Sequence, residues 1–153
     1  LFFYIYNKRL KFKFSELVYL LILIAIMITI TDQTANLFKD SFQRLRPCYN
    51  ELIKDSLRLV KDSCGGKYGF FSAHASNSFT LAVFFGLLYK KKFRYLIYIS
   101  LLYASLISYS RIYLGVHFPL DLIFGSTFGI IVGIITFKFY NKYLYFFKLF
   151  NKS

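Results

Sequence analysis

At 153 residues the chain is sized for one domain, but 57% of it is hydrophobic and 22% aromatic, with 20 Phe, 14 Tyr and no Trp. A soluble core of this size cannot absorb that much apolar surface, so an ordinary soluble domain is excluded and a lipid-facing one is expected. The net charge of +13 does not point to nucleic acid, because twelve of the twenty Lys and Arg fall in three separate blocks, "NKRLKFK", "KKKFR" and the tail from Lys138, rather than on one polar face.

The opening residues "LFFYIY" read as the tail of a further apolar helix, so the chain is expected to begin inside a longer protein. Residues 1–15 are then a helix tail and a cytoplasmic loop, 16–140 a single core, and 141–153 a cytoplasmic tail. Within the core, four segments approach the roughly 20 residues that cross about 30 Å of hydrocarbon: 16–38, 74–90, 93–110 and 119–140. The second is the weakest, being short with polar residues at its start.

The three basic blocks fall at alternate ends of these segments, as cytoplasmic loops do under the positive-inside rule. Residues 39–73 and the link 111–118 are thereby expected together on the outer side. Asp32 stands inside the first span, where an ionisable group is costly; it reads as a structural brace beneath whatever lies above it.

In the outer segment, "ELIKDSLRLV" places Leu52, Ile53, Leu57 and Val60 on one helical face, which predicts a short amphipathic helix over 51–61 lying on the membrane surface. Cys48 and Cys64 are the only cysteines, and their spacing does not suit a metal site. On an oxidising side they would form a disulfide; two free thiols remain the other reading. The stretch "CGGKYGF" marks a tight connection.

In the last two spans, Ser100, Ala104 and Ser108 and then Gly125, Gly129 and Gly133 recur every four residues. Small residues at that interval allow close helix approach, and the short link predicts that these two helices pack as an antiparallel pair.

Polar residues collect at the outer ends. Lys39, Arg44 and Arg46 follow the first span; if that helix continued, Lys39 and Arg46 would share a face about 10 Å apart, although Pro47 disfavours helix at Arg46. Ser72 and His74 open the second span, and "SRIYLGVHFPLD" supplies Arg111, His117 and Asp121. Arg and Lys suit phosphate, and helix N-termini welcome anions. Two imidazoles can divide phosphoester hydrolysis between a nucleophile and an acid. Asp121, four residues after His117, can fix its tautomer. Arg44, Lys54 and Arg58 read instead as snorkelling anchors.

These residues carry a resemblance. "KDSFQRLRP" is similar to the K-x6-R-P motif of the type-2 phosphatidic acid phosphatase superfamily, which includes vanadium haloperoxidases. "FSAH" resembles its P-S-G-H motif, with Phe71 for Pro and Ala73 for Gly, and "SRIYLGVHFPLD" matches S-R-x5-H-x3-D. The resemblance spans about 16–137 and implies an all-α polytopic transmembrane bundle, the last four helices of a six-helix core. It implies His117 as the nucleophile forming a phosphohistidine, Asp121 as its orienting carboxylate and His74 as the general acid. Lys39, Arg46, Ser72, Ala73 (through its backbone N–H) and Arg111 would hold phosphate, with no metal or other cofactor.

The expected function is hydrolysis of a lipid phosphate or diphosphate by an integral membrane phosphatase. Its site would face the outer, periplasmic side of a bacterial cytoplasmic (inner) membrane. Undecaprenyl diphosphate, phosphatidic acid, phosphatidylglycerol phosphate and the lipid A class all fit as substrates, and nucleic acid does not. A vanadate-dependent haloperoxidase fits less well because those relatives are mainly soluble. A non-catalytic lipid-binding protein fits less well because none of the seven polar motif residues is missing.

Overall fold

The computed structural model describes residues 14–57, 60 and 64–150, with side chains to residue 143. The expected "LFFYIY" helix tail and the basic loop through Lys13 lie outside the described residues, as do Arg58, Lys61 and the last three residues. Among the described residues there are four α-helices: α1 (Phe14–Phe42), α2 (Ala73–Leu88), α3 (Leu96–Tyr113) and α4 (Pro119–Phe150). α1, α3 and the Pro119–Tyr143 part of α4 are long and apolar enough to cross a membrane, while α2 is a shorter apolar helix. The expected tail beyond residue 140 is helical as far as Phe150, so α4 outruns its predicted end.

α2 is the centre of the bundle. It packs against α1, α3 and α4, and α4 also meets α1. The antiparallel pair expected between α3 and α4 does not form, and the glycine ladder explains why. A methyl added at Gly125 would lie 2.6 Å from the Ser72 carbonyl, at Gly129 2.2 Å from that of Ser76, and at Gly133 2.8 Å from that of Thr80. The glycines are therefore seated on α2, whose Ser72, Ser76 and Thr80 repeat at the same four-residue interval. The Thr80 hydroxyl adds a hydrogen bond to the Gly129 carbonyl at 3.0 Å. With α4 on one face of α2, the small residues of α3, including buried Ala104 and Ser108, are left to its other face.

The core between α1, α2 and α4 holds Met27, Phe84, Val132 and Tyr140, all buried. A second cluster, Ala35 with Phe70 and Phe71, closes the end that carries the motifs. There Phe71 lies 5.2 Å from the Phe38 ring and 5.4 Å from that of Phe128. The aromatic ring at 71 thus fills the space between α1 and α4.

α1 has 29 residues, about 43 Å at 1.5 Å per residue, more than the roughly 30 Å of hydrocarbon. Its last turns, with Lys39, can therefore reach the boundary. The helix stops at Phe42, where Gln43 takes a left-handed φ of 46°. Arg46 is thus not on a helical face with Lys39; it has extended backbone (φ −66°, ψ 157°) before Pro47, as the steric demand of the proline ring requires.

The amphipathic helix expected over 51–61 does not form over its described residues 51–57. Residues 51–53 turn, Lys54–Ser56 make one 3-10 turn, and Leu52 is exposed. About ten residues are too few to sustain a helix without tertiary packing. Locally, the Asn50 side chain accepts from the Leu52 N–H at 3.0 Å, a competing turn bond. Cys48 and Cys64 are joined as a disulfide.

Candidate active site

The site begins with how α3 ends. Gly115 takes φ 70°, its N–H donates to Ile112 O at 2.8 Å, and Val116 N–H donates to Arg111 O at 3.2 Å. This pair of bonds closes the helix in a Schellman turn. Three residues after Val116, Pro119 opens α4 at the position where its missing N–H costs nothing. His117 is thereby fixed in a five-residue link whose two ends are both capped. The final turn of α3 carries Arg111, and the first turn of α4 carries Asp121.

Asp121 is 1% exposed and His117 5%. Asp121 Oδ2 faces His117 Nδ1 at 3.3 Å and accepts the Phe118 N–H at 2.9 Å. Its backbone carbonyl accepts the Ser72 N–H at 3.1 Å, which ties the start of α4 to the start of α2. With Nδ1 turned to the carboxylate, Nε2 is the nitrogen left for chemistry. Burial pushes the His117 pKa below its ordinary value; the hydrogen bond to Asp121 opposes this, and the cations Arg46 and Lys39 add to the lowering. The neutral imidazole is therefore the favoured form.

The other oxygen of Asp121 corrects one sequence expectation. Arg44 Nη1 donates to Asp121 Oδ1 at 2.9 Å with the Arg44 side chain 35% exposed. Its guanidinium lies 4.6 Å from the centre of the Phe118 ring. Arg44 is thus a fixed partner of the carboxylate rather than a snorkelling anchor. The backbone brings it there: residues 44–46 run antiparallel to 67–69, with Arg46 N–H donating to Lys67 O at 3.1 Å and Gly69 N–H to Arg44 O at 2.9 Å.

The same bridge places Arg46. Its Nε donates to Tyr68 O at 3.2 Å and Nη1 to Cys64 O at 2.9 Å, so the disulfide-linked loop holds one edge of the guanidinium. Gly69 sits where an added methyl would be 3.0 Å from Arg46 Cγ, 3.4 Å from Asp121 Oδ2 and 3.6 Å from His117 Nδ1. Within the tight connection that the glycines mark, Gly69 lets the backbone lie over the His117–Asp121 pair.

At the start of α2, buried Ser72 caps the helix by accepting the Ala75 N–H at 3.4 Å. Ala73 is the first helical residue, and its N–H is among those a helix start leaves free for an anion. His74 is exposed and lies in electrostatic range of Arg111, His117, Lys39 and Asp32. Lys39 Nζ donates to Asn36 Oδ1 at 3.1 Å, and Arg111 Nε to Ser110 Oγ at 3.2 Å. Every candidate residue therefore lies at one end of the bundle. Asp32 lies below them and accepts from Asn77 Nδ2 at 2.8 Å. Among the described residues no three His, Cys, Asp or Glu side chains gather to hold a metal ion.

The arrangement offers a buried neutral imidazole, a second imidazole at the mouth, and cationic and N–H donors from four chain segments. Comparison with known proteins agrees with that chemistry. The chain is 37% identical over 141 residues to a lipid A 4'-phosphatase of Porphyromonas gingivalis, covering 92% of this chain and 57% of that protein. It is 44% identical over 108 residues to a lipid A 4'-phosphatase of Bacteroides thetaiotaomicron, covering 69% of this chain and 47% of that protein. The chain therefore spans about half the length of these curated relatives. No solved structure matches it. The PAP2 superfamily profile matches residues 16–145, most of the sequence and all three motifs, and the chain belongs to the PAP2 superfamily.

Proposed function

We propose that this chain carries the catalytic centre of an integral membrane phosphatase that removes a phosphate monoester from a lipid, with phosphorylated lipids of the lipid A class as the substrates. In the first step His117 Nε2 donates its lone pair to phosphorus. The bond from phosphorus to the lipid oxygen breaks, and His74, protonated, gives that oxygen its proton. Asp121 holds Nδ1–H and stabilises the positive ring as it forms, the role of the carboxylate in a Ser-His-Asp triad. Lys39, Arg46, Arg111, the Ser72 hydroxyl and the Ala73 N–H receive the phosphoryl oxygens. In the second step His74, now neutral, takes a proton from water as the water attacks phosphorus. The nitrogen–phosphorus bond breaks and inorganic phosphate leaves.

The observation that carries this reading is the fastening of the buried His117 through Nδ1 to Asp121, 3.3 Å away, which leaves one ring nitrogen as nucleophile. The lipid A class is favoured because both relatives bear that activity in their names. The site is assigned to the outer, periplasmic face of a bacterial inner membrane. Support comes from the basic block Lys90–Lys92 and Arg94, which joins α2 to α3 at the end opposite His74, as a cytoplasmic loop should.

The test is phosphate release from a panel of purified lipids by the full-length protein. His117→Ala should lower turnover by at least about 1,000-fold, as loss of a nucleophile does. Acid-labile phosphate should be trapped on His117 in the wild type. Unchanged turnover in His117→Ala refutes the assignment.

A further inference from the structure

Asp32 is a charged group within the first span that the reaction above does not use. It lies seven residues before Lys39 on α1, two helical turns or about 10 Å deeper, where a carboxylate inside a span is costly and asks for a role. Asn77 Nδ2 satisfies Oδ1 at 2.8 Å, and Asn77 is itself held through its Oδ1 by the hydroxyl of buried Thr31. Among the described residues nothing donates to Asp32 Oδ2. The carboxylate is thus oriented by one oxygen and open at the other.

Asp32 also lines a cleft. α1 and α3 both pack on α2, and the open cleft between them has a volume of about 740 Å³. Asp32 lines it from α1, His74 and Asn77 from α2, and Tyr103 from α3, with Leu81 and Phe85 further along α2. From His74 to Phe85 is eleven residues, about 16 Å of helix, roughly half the hydrocarbon thickness. The cavity therefore begins at the proposed general acid and descends through about one leaflet between apolar walls. Its size falls in the range that holds small organic ligands.

Position and charge then restrict the occupant. Phosphate belongs with the cations on the far side of His74, and a carboxylate would repel it. The oxygen that His74 protonates belongs to the departing lipid, so the lipid's next atoms pass Asp32. A carboxylate accepts hydrogen bonds and donates none. Hydrocarbon, ester carbonyls and ether oxygens offer it nothing; a hydroxyl or an amide N–H does.

We infer that the cleft between α1 and α3 is the binding site for the departing part of the lipid, and that Asp32, braced by Asn77, selects lipids with a hydroxyl or amide N–H beside the phosphoester. Polyisoprenyl and diacylglycerol phosphates lack such donors; N-acylated amino-sugar phosphates have them. The inference rests on the phosphatase reading and deepens it. A site built to accept a donor discriminates strongly against analogues lacking it, whereas a purely apolar cleft separates lipids only by size.

The experiment uses the full-length protein in mixed micelles and two lipids of matched chain length, a phosphorylated N-acylglucosamine lipid and a diacylglycerol phosphate. Wild-type kcat/KM should favour the first, and Asp32→Asn should reduce the ratio of the two values by about tenfold or more. An equal fall on both lipids, as a role only in charging His74 would give, overturns the inference. So does an unchanged ratio, as another protein segment filling the cleft would give. A second measurement needs no turnover: binding of the unphosphorylated N-acylglucosamine lipid should weaken about tenfold in Asp32→Asn, and equal binding by both proteins also overturns the inference. Loss of the phosphatase reading is distinguishable, because the wild type would then release phosphate from neither lipid while Asp32-dependent binding persisted.

Discussion

Asp121 shares its two oxygens between opposite tasks. Oδ2 orients His117, while Oδ1 is drawn toward Arg44, whose positive charge weakens the field that Asp121 exerts on the ring. Burial already favours neutral His117, so the proposed nucleophile would be ready at pH values below the ordinary histidine value of about 6.5. The activity that depends on neutral His117 is lost only as pH falls through this lowered pKa. The acid limb of the kcat/KM profile should therefore lie below about pH 6.5. Arg44→Ala removes the competing cation, so Asp121 should stabilise imidazolium more strongly and move that limb to higher pH. At neutral pH kcat should fall on the order of tenfold, equivalent to about 1.4 kcal/mol. A profile in Arg44→Ala that keeps its wild-type acid limb would show that Arg44 does not act through Asp121. The His117–Asp121 pair was legible because four residues equal about one helical turn and Pro119 marks the helix start. Arg44 was not legible: an arginine at a membrane boundary has the same sequence appearance whether it is snorkelling or paired. Only the antiparallel run of 44–46 against 67–69 decides between them.

Between helices, the four-residue interval of small side chains announced close approach but not the partner. Both α3 and α4 carry such a ladder, and a short link made their pairing the simple expectation. The third ladder, Ser72, Ser76 and Thr80, lies in the helix that looked weakest as a span, and it receives the glycines of α4. Its polar residues counted against a lone transmembrane segment, yet they are the residues that let two backbones touch. Gly129→Ala tests the contact at its tightest point. The methyl would meet backbone rather than a movable side chain, so α2 and α4 must separate, at a cost of about 1–3 kcal/mol. A lower Tm in detergent should be accompanied by reduced turnover, because Ser72 N–H and Asp121 O bridge the same two helices. Gly66→Ala, whose added methyl has nothing within 4 Å, should leave Tm unchanged. The predicted surface helix failed over its described residues for the complementary reason: its periodicity was helical, but Leu52 and Val60 of its apolar face stay exposed, so little burial sustains it.

Across the whole molecule, the cations proposed to bind phosphate and the basic block Lys90–Lys92 with Arg94 occupy opposite ends of the same bundle. Lys39, Arg46 and Arg111 gather with both imidazoles, while Lys90, Lys91, Lys92 and Arg94 surround the α2–α3 turn. This division was readable from charge blocks alone, because it needs only alternation along the chain. The depth of the site between the ends was not, since it depends on which helix lies at the centre. The proposed orientation rests on the second group: a short basic loop resists translocation, so these four bases would hold the α2–α3 turn inside and put the disulfide loop outside. Replacing all four with Gln removes the local bias at a place remote from the catalytic residues. A fraction of molecules should then insert inverted, and in them Cys48 and Cys64 would face a reducing compartment and remain thiols. The oxidised fraction, measured by thiol alkylation and gel mobility, should fall in parallel with phosphate release per molecule. If the thiols stayed fully oxidised while activity was lost, the basic turn would be serving the site rather than its orientation.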